Sequence, residues 1–385
     1  MTGDRFQTVS LAEVLSQGSS PERIVDMQNE RYITVSINGK GARERVIKDG
    51  KYPVPFTGYR VSSGQFIYSR IDARNGAYGI VGPELDGFVV SKDFPVFDID
   101  TQRVNPQFLL KSVLGGGFLS QVRQSSFGAT NRMRIKEEVL GQFSIGLPPL
   151  ARQEEIIGIL DRAQAVVDAR QAQLQKLDEL VKARFVEMFG DVADNPRGYE
   201  KAHLKDVAKG RLSYGANCSA IEYDGNTRYL RITDITDSGG LTGDAKSPSE
   251  INEKYLLFDG DILFARSGAT VGKTYRYNKE DGRAIYAGYL IRLAPDTNRV
   301  LPDYIFWYTK TDYYMSFVAN TQRAVAQPNI NAQEYGSLDI LVPPIEEQRE
   351  FASFVEQVDK SGAAVRKALE EAQLLFDSLM QKYFG

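Results

Sequence analysis

Leu147-Pro148-Pro149-Leu150-Ala151-Arg152-Gln153-Glu154 and Val342-Pro343-Pro344-Ile345-Glu346-Glu347-Gln348-Arg349 stand 195 positions apart and share one pattern: apolar residue, two prolines, apolar residue, and glutamine four places after the second proline. Proline is accepted in the first turn of a helix and rejected inside one, so each pair marks a helix start. In the first stretch that follows, Ile156, Leu160, Ala163, Val167, Arg170, Leu174, Leu177, Val181, Arg184 and Met188 recur at spacings of four and three. Phe351, Val355, Val358, Gly362, Val365, Leu369, Ala372, Phe376, Leu379 and Tyr383 keep the same register in the second. Such spacing, with Glu, Lys, Arg and Gln between, describes a coiled-coil seam. A helix of about 38 residues at about 1.5 Å per residue is nearly 60 Å long.

The repeat extends upstream. Gly64-Gln65-Phe66-Ile67-Tyr68-Ser69-Arg70 matches Gly260-Asp261-Ile262-Leu263-Phe264-Ala265-Arg266, Gly76 matches Gly272, and Arg31-Tyr32-Ile33 echoes Arg228-Tyr229-Leu230. Both copies close alike, in Met188-Phe189-Gly190 and Tyr383-Phe384-Gly385. A duplication of this span organises the chain as domain, helix, domain, helix. Periodicity alone allows the seams to serve a second chain. The duplication favours internal pairing, and a pseudo-two-fold relation between the halves makes the helices antiparallel.

Runs rich in β-branched and aromatic residues at 31–37, 65–69, 87–90, 229–233, 261–265 and 289–293 predict strands, and helices opened by proline are expected at 106–114 and 302–314. The expected fold class is α+β, with two mixed α/β domains at 1–146 and 191–341 and long helices at 147–190 and 342–385. These helices are expected to form an antiparallel intramolecular coiled coil with an internal pseudo-two-fold repeat.

Of the 385 residues, 42% are hydrophobic and 25% charged, which is globular composition, and no stretch reaches the length of a membrane helix. Residues 1–10 lack the apolar core of a secretory signal, so a cytoplasmic protein is expected. Cys218 and His203 are the only cysteine and histidine, a poor inventory for a zinc site or a histidine-based hydrolase. We therefore expect neither a catalytic nor a metal site. The net charge of −3 does not by itself mark a nucleic-acid binder, although residues 1–150 carry +3.

Gly268-Ala269-Thr270-Val271-Gly272-Lys273-Thr274 comes close to a phosphate-binding loop, but only three residues separate its glycines where four are needed. Gly115-Gly116-Gly117 lacks the context of a dinucleotide fingerprint and reads as a flexible helix terminus; Asn105-Pro106-Gln107-Phe108 lacks the partners of an amino-methyltransferase motif. More suggestive are the equivalent loops of the repeat. One pair carries Tyr68, Arg70 and Arg74 against Arg266, Lys273, Tyr275 and Arg276; the other carries Arg123, Arg132, Arg134 and Lys136 against Arg323, Gln327 and Asn329. Arginine can grip guanine bidentately, lysine meets phosphate as a point charge, and Asn or Gln can read adenine. The candidate DNA contacts are Arg70, Arg74, Arg132, Arg134, Arg266, Lys273, Arg323 and Asn329. Basic loops of this kind also occur as plain solvated surface.

With its doubled Pro-Pro-x-x-x-Gln start to a long helix and its Gly260-Asp261-Ile262-Leu263-Phe264-Ala265-Arg266 run, the whole chain resembles the specificity subunit of type I restriction-modification systems. The resemblance implies two target-recognition domains, each reading half of a split site in double-stranded DNA, with the helices setting the spacer. It also implies two modification subunits carrying S-adenosylmethionine and adenine methylation, and motor-nuclease subunits using ATP, so that this chain is a non-catalytic recognition subunit without a cofactor of its own. Copy one departs from the pattern with Gly64-Gln65-Phe66 and Arg70-Ile71-Asp72-Ala73-Arg74. The competing expectations are a duplicated coiled-coil adaptor that holds protein rather than DNA, and an enzyme acting on nucleic acid.

Overall fold

Each double proline ends a short strand and launches a helix of 40 residues: Leu150–Phe189 (α4) after Ser144–Leu147, and Ile345–Phe384 (α8) after Asp339–Val342. The computed structural model describes residues 6–47, 50–125, 134–323 and 329–385. The other helices are Pro106–Leu114 (α1), Gly116–Ser125 (α2), Glu137–Gln142 (α3), Pro302–Tyr308 (α5), Asp312–Arg323 (α6) and Ala332–Gly336 (α7). Two compact units result, one of residues 1–169 and 368–385, the other of residues 170–367.

The duplication is visible strand by strand. In the first unit Gln7–Ser10 pairs antiparallel with Ser144–Leu147; in the second Glu200–His203 pairs likewise with Asp339–Val342. Each unit has a four-stranded antiparallel sheet, ordered Leu15–Gln17, Val96–Ile99, Phe66–Tyr68, Tyr78–Ile80 in one and Ser213–Tyr214, Leu290–Leu293, Ile262–Ala265, Thr274–Arg276 in the other. What differs is the second layer of strands. The first unit adds a three-stranded sheet (Glu22–Ile24, Phe56–Arg60, Val89–Ser91) and the hairpin Ile33–Ser36/Gly41–Glu44. The second adds Ala220–Glu222 with Lys246–Pro248 and a parallel pair, Arg228–Leu230 with Ala284–Tyr286.

The expected helix over 302–314 is two helices. Thr309 interrupts it: its hydroxyl turns back to the Phe306 carbonyl at 2.6 Å and meets the Thr274 hydroxyl at 2.6 Å. Side-chain bonds of threonine to nearby groups compete with helix continuation.

α4 and α8 pack together. In the first unit Ile156 and Leu160, near the start of α4, share a core with Phe376, Leu379 and Tyr383, near the end of α8. In the second, Val181, Phe185 and Phe189 of α4 share one with Phe351 and Val355, near the start of α8. The helices are therefore antiparallel within each unit, and each runs from one unit into the other. Every residue of the expected seams is buried or half-buried, so the 3.5-residue period marks the sheltered face throughout. The helices end on matching aromatic contacts, Phe189 against Tyr304 with ring centres 4.9 Å apart and Phe384 against Phe108 at 5.3 Å.

That last contact explains Gly115. A Cβ there would lie 2.5 Å from the Phe384 Cβ, so the glycine run is the place where the end of α8 comes close, not a loose helix terminus.

The repeated spacing between proline and glutamine has an equally direct cause. Gln153 is fully buried; its Oε1 accepts from the Asn105 amide at 2.8 Å, and its Nε2 donates to the carbonyls of Arg103 (2.9 Å) and Pro148 (2.8 Å). Gln348 repeats the arrangement with the Leu301 amide (2.8 Å) and the carbonyls of Arg299 (2.9 Å) and Pro343 (2.8 Å). One amide side chain thus joins three segments: the strand before the prolines, the long helix, and the turn into α1 or α5. Truncation leaves those backbone groups unpaired, so Gln153→Ala and Gln348→Ala should each cost about 2–4 kcal/mol in urea denaturation. Losses below about 0.5 kcal/mol, the range of ordinary surface substitutions, would show that the glutamines are not the junction.

Candidate DNA interface

In the second unit the buried strand Ile262–Ala265 delivers Arg266 to the surface. Gly260 enters the strand at φ +87°, a left-handed conformation that excludes ordinary side chains, and packs against Pro302. Asp261 then turns inward, accepting from the Phe258 amide at 2.8 Å and pairing with the Arg292 guanidinium at 2.9 Å; burial pushes its carboxyl up. In the first unit Gly64 has φ +86°, and Gln65 stands in for the aspartate. Its Oε1 accepts from the Ser62 amide at 2.7 Å and its Nε2 donates to Asp98 at 2.8 Å. Gln65 with Asp98 replaces Asp261 with Arg292, the acid having moved to the neighbouring strand. The departure from the Gly-Asp-Ile pattern is a compensated exchange.

Beyond these strands the equivalent arginines have different surroundings. Arg266 lies over the Tyr214 ring, 4.8 Å from its centre, and its Nε donates to Asn329 Oδ1 at 3.2 Å. Tyr214 in turn accepts the Ala332 amide at 3.0 Å. Arg70 instead pairs with the Glu137 carboxylate. Arg134, which holds the place of Asn329, pairs with Asp93 at 3.2 Å. Arg74 sits in the turn 73–75, where its carbonyl accepts from Arg123 Nε at 3.3 Å. Arg132 and Gln327 lie outside the described residues, as does the side chain of Arg323, which closes α6.

Lys273 donates to Asp237 at 2.8 Å and to the Ile235 carbonyl at 3.4 Å, and holds the Asp237 carboxyl below its ordinary value. Its neighbour Thr274 is fully buried. The lysine and threonine that a phosphate loop would use are thus both engaged within the fold. Tyr68 and Tyr275, grouped with the basic loops on sequence, are core residues at 0% and 4% exposure.

The structure therefore brings Arg266 together with Asn329, and Arg70 into the same setting as Arg134 through the Ile135 amide, which donates to the Arg70 carbonyl at 3.0 Å as Ile330 does to Arg266 at 2.8 Å. Two exposed aromatics beside Arg266 escape a search for charged loops: Tyr214, 42% exposed, and Tyr289, 62% exposed, whose carbonyl accepts the Arg266 amide at 3.1 Å. Tyr289 also borders an open depression of about 480 Å³ with Asn217, Arg231 and Thr233. Both residues of the short Ser213–Tyr214 strand are exposed, which only the folded sheet reveals.

Because Glu137 neutralises Arg70, the two are nearly silent toward a polyanion. Glu137→Gln should raise affinity for non-specific duplex DNA and steepen the dependence of log K on log salt by about one unit, measured by fluorescence anisotropy. An unchanged slope would place Arg70 away from the DNA.

Residues 196–373 match the family model described as the type I restriction modification DNA specificity domain. The StySPI specificity subunit of Salmonella potsdam is 24% identical over 298 residues, covering 72% of this chain and 64% of that protein. The EcoKI specificity subunit of Escherichia coli K12 is 27% identical over 297 residues (69% and 62%), and the putative MjaX specificity subunit of Methanocaldococcus jannaschii is 28% identical over 208 (50% and 47%). The chain thus spans less than two thirds of the length of these relatives. Among solved structures, a chain from a study of complex assembly in the type I R-M system aligns with a TM-score of 0.55 at 20% identity, covering 100% of this chain and 99% of that one. The type I S subunit from M. genitalium aligns with 0.52 at 14%, again over 100% and 99%. The fold is shared with both, and the match to the type I restriction modification DNA specificity domain lies in the second half of the chain.

Proposed function

We propose that this chain reads a split DNA sequence, one half with each unit, and does no chemistry itself. The observation that carries this is the structural duplication: the same sheet, the same proline start and the same buried glutamine occur twice, with unlike strands and surface residues added to each copy. A common frame with divergent surfaces is what two readers of different half-sites require. In this reading the antiparallel α4 and α8 set the spacer between the two half-sites in the DNA.

In this reading double-stranded DNA is one partner, and two adenine-methylating modification subunits and the motor-nuclease subunits are the others. S-adenosylmethionine and ATP belong to those partners. No helix among the described residues is long and apolar enough to cross a membrane, and we place the complex in the cytoplasm. Arg70, Arg74, Arg132, Arg134, Arg266, Lys273, Arg323 and Asn329 remain the proposed DNA contacts, with Arg266 and Asn329 acting as a pair.

The test is an exchange of residues 1–145 for the matching segment of a family member with a known target, coexpressed with the modification subunits. The methylated sequence, mapped across a genome, should change in one half only. Change in both halves, or in neither, would refute two independent readers.

A further inference from the structure

Arg266 is held more firmly than a phosphate contact needs to be. Its backbone is fixed on both sides, the amide donating to the Tyr289 carbonyl and the carbonyl accepting from Ile330. Its guanidinium rests on the Tyr214 ring, which is pinned through its hydroxyl to the start of α7. Nε donates to Asn329 Oδ1. The amide must lie this way round, because the reverse would set its N–H2 against a donor.

Two consequences follow from counting donors. Arginine has five N–H groups, and Nε carries one; the four on Nη1 and Nη2 have no hydrogen-bond partner among the described residues. Asn329 already commits one lone pair of its oxygen, and with it the orientation of the amide, to Arg266, whereas a grip on adenine requires that oxygen to take the N6–H while the nitrogen donates to N7. The unengaged groups of the pair are mainly donors, the guanidinium being held over the Tyr214 ring. The complementary base edge is guanine, whose O6 and N7 both accept in the major groove.

Building on the proposal that the chain reads DNA, we propose that Arg266 reads a guanine in the half-site of the second unit, with Tyr214 and Asn329 as positioning residues. The first unit does not use the equivalent position in this way. There the carboxylates of Glu137 and Asp93 occupy Arg70 and Arg134, which have the places of Arg266 and Asn329. The duplicated frame thus carries a base reader at this point in one copy and an internal ion pair in the other.

The test is selection of randomised duplexes by the full chain copurified with its modification subunits, followed by sequencing at fixed salt. The wild type should enrich two separated words, one containing the guanine. Arg266→Ala and Arg266→Lys should each lose about 5- to 150-fold discrimination at that position and leave the others intact. The lysine variant keeps the charge, so its loss isolates the planar fork. Asn329→Asp should have the same effect, because a carboxylate there would capture the guanidinium as Glu137 captures Arg70. Tyr214→Phe, which keeps the ring, should retain the preference; Tyr214→Ala should lose it at that one position, whereas a merely structural role would weaken every position. Uniform weakening of all sequences in Arg266→Ala, with a flatter salt slope, would make the contact a phosphate and overturn the assignment while the DNA reading stands. A changed A·T position would overturn it too. A wild-type complex that enriches no word would defeat both.

Discussion

Everything in this chain hangs on a glutamine buried at the start of each long helix. Gln153 and Gln348 are each fully enclosed, and each satisfies one amide and two carbonyls at the point where strand, helix and turn converge. Buried backbone groups without partners are costly, so the side chain fixes the direction in which the helix leaves the sheet. The prolines determine where the helix begins, and the glutamine determines how it is aimed. Since the junction occurs twice, each helix can leave one unit and finish among the aromatics of the other, Phe189 beside Tyr304 and Phe384 beside Phe108.

This junction also explains how the two units can diverge without losing the frame. Exchanging Asp261–Arg292 for Gln65–Asp98 keeps the inward bond to the strand entry while moving the charge. Farther from the junction the constraint relaxes. The secondary strands differ in number and pairing, and Arg266 on its tyrosine corresponds to Arg70 on its glutamate. Stability resides in the duplicated part, and in the proposed reading discrimination resides in the part that differs.

The helices, their seam and the repeat were legible in the sequence because they depend on periodicity and proline, which act locally. The strands around Phe66–Tyr68 and Ile262–Ala265 were legible as apolar runs for the same reason. The interface was only partly so. Charge marks an arginine but not the carboxylate opposite it, and Arg70 and Glu137 are 67 positions apart. Asn329 looks like an adenine reader until its oxygen is found on Arg266, 63 positions away. Tyr68 and Tyr275 look like surface chemistry until their strands are placed in a sheet. The break at Thr309 and the role of Gly115 likewise depend on side chains distant in the sequence, Thr274 and Phe384.

The most direct test of the whole account is to lengthen the helices and read the spacer. Four residues inserted after Gln171 and four after Arg366 add about 6 Å to the antiparallel pair at about 1.5 Å per residue, and the shift in heptad can be absorbed as a stutter. With about 3.4 Å between successive base pairs, the methylated motif should keep both half-sequences and gain one or two base pairs between them. An unchanged spacer in a folded, active variant would contradict the account, leaving the helix pair a docking element rather than the ruler.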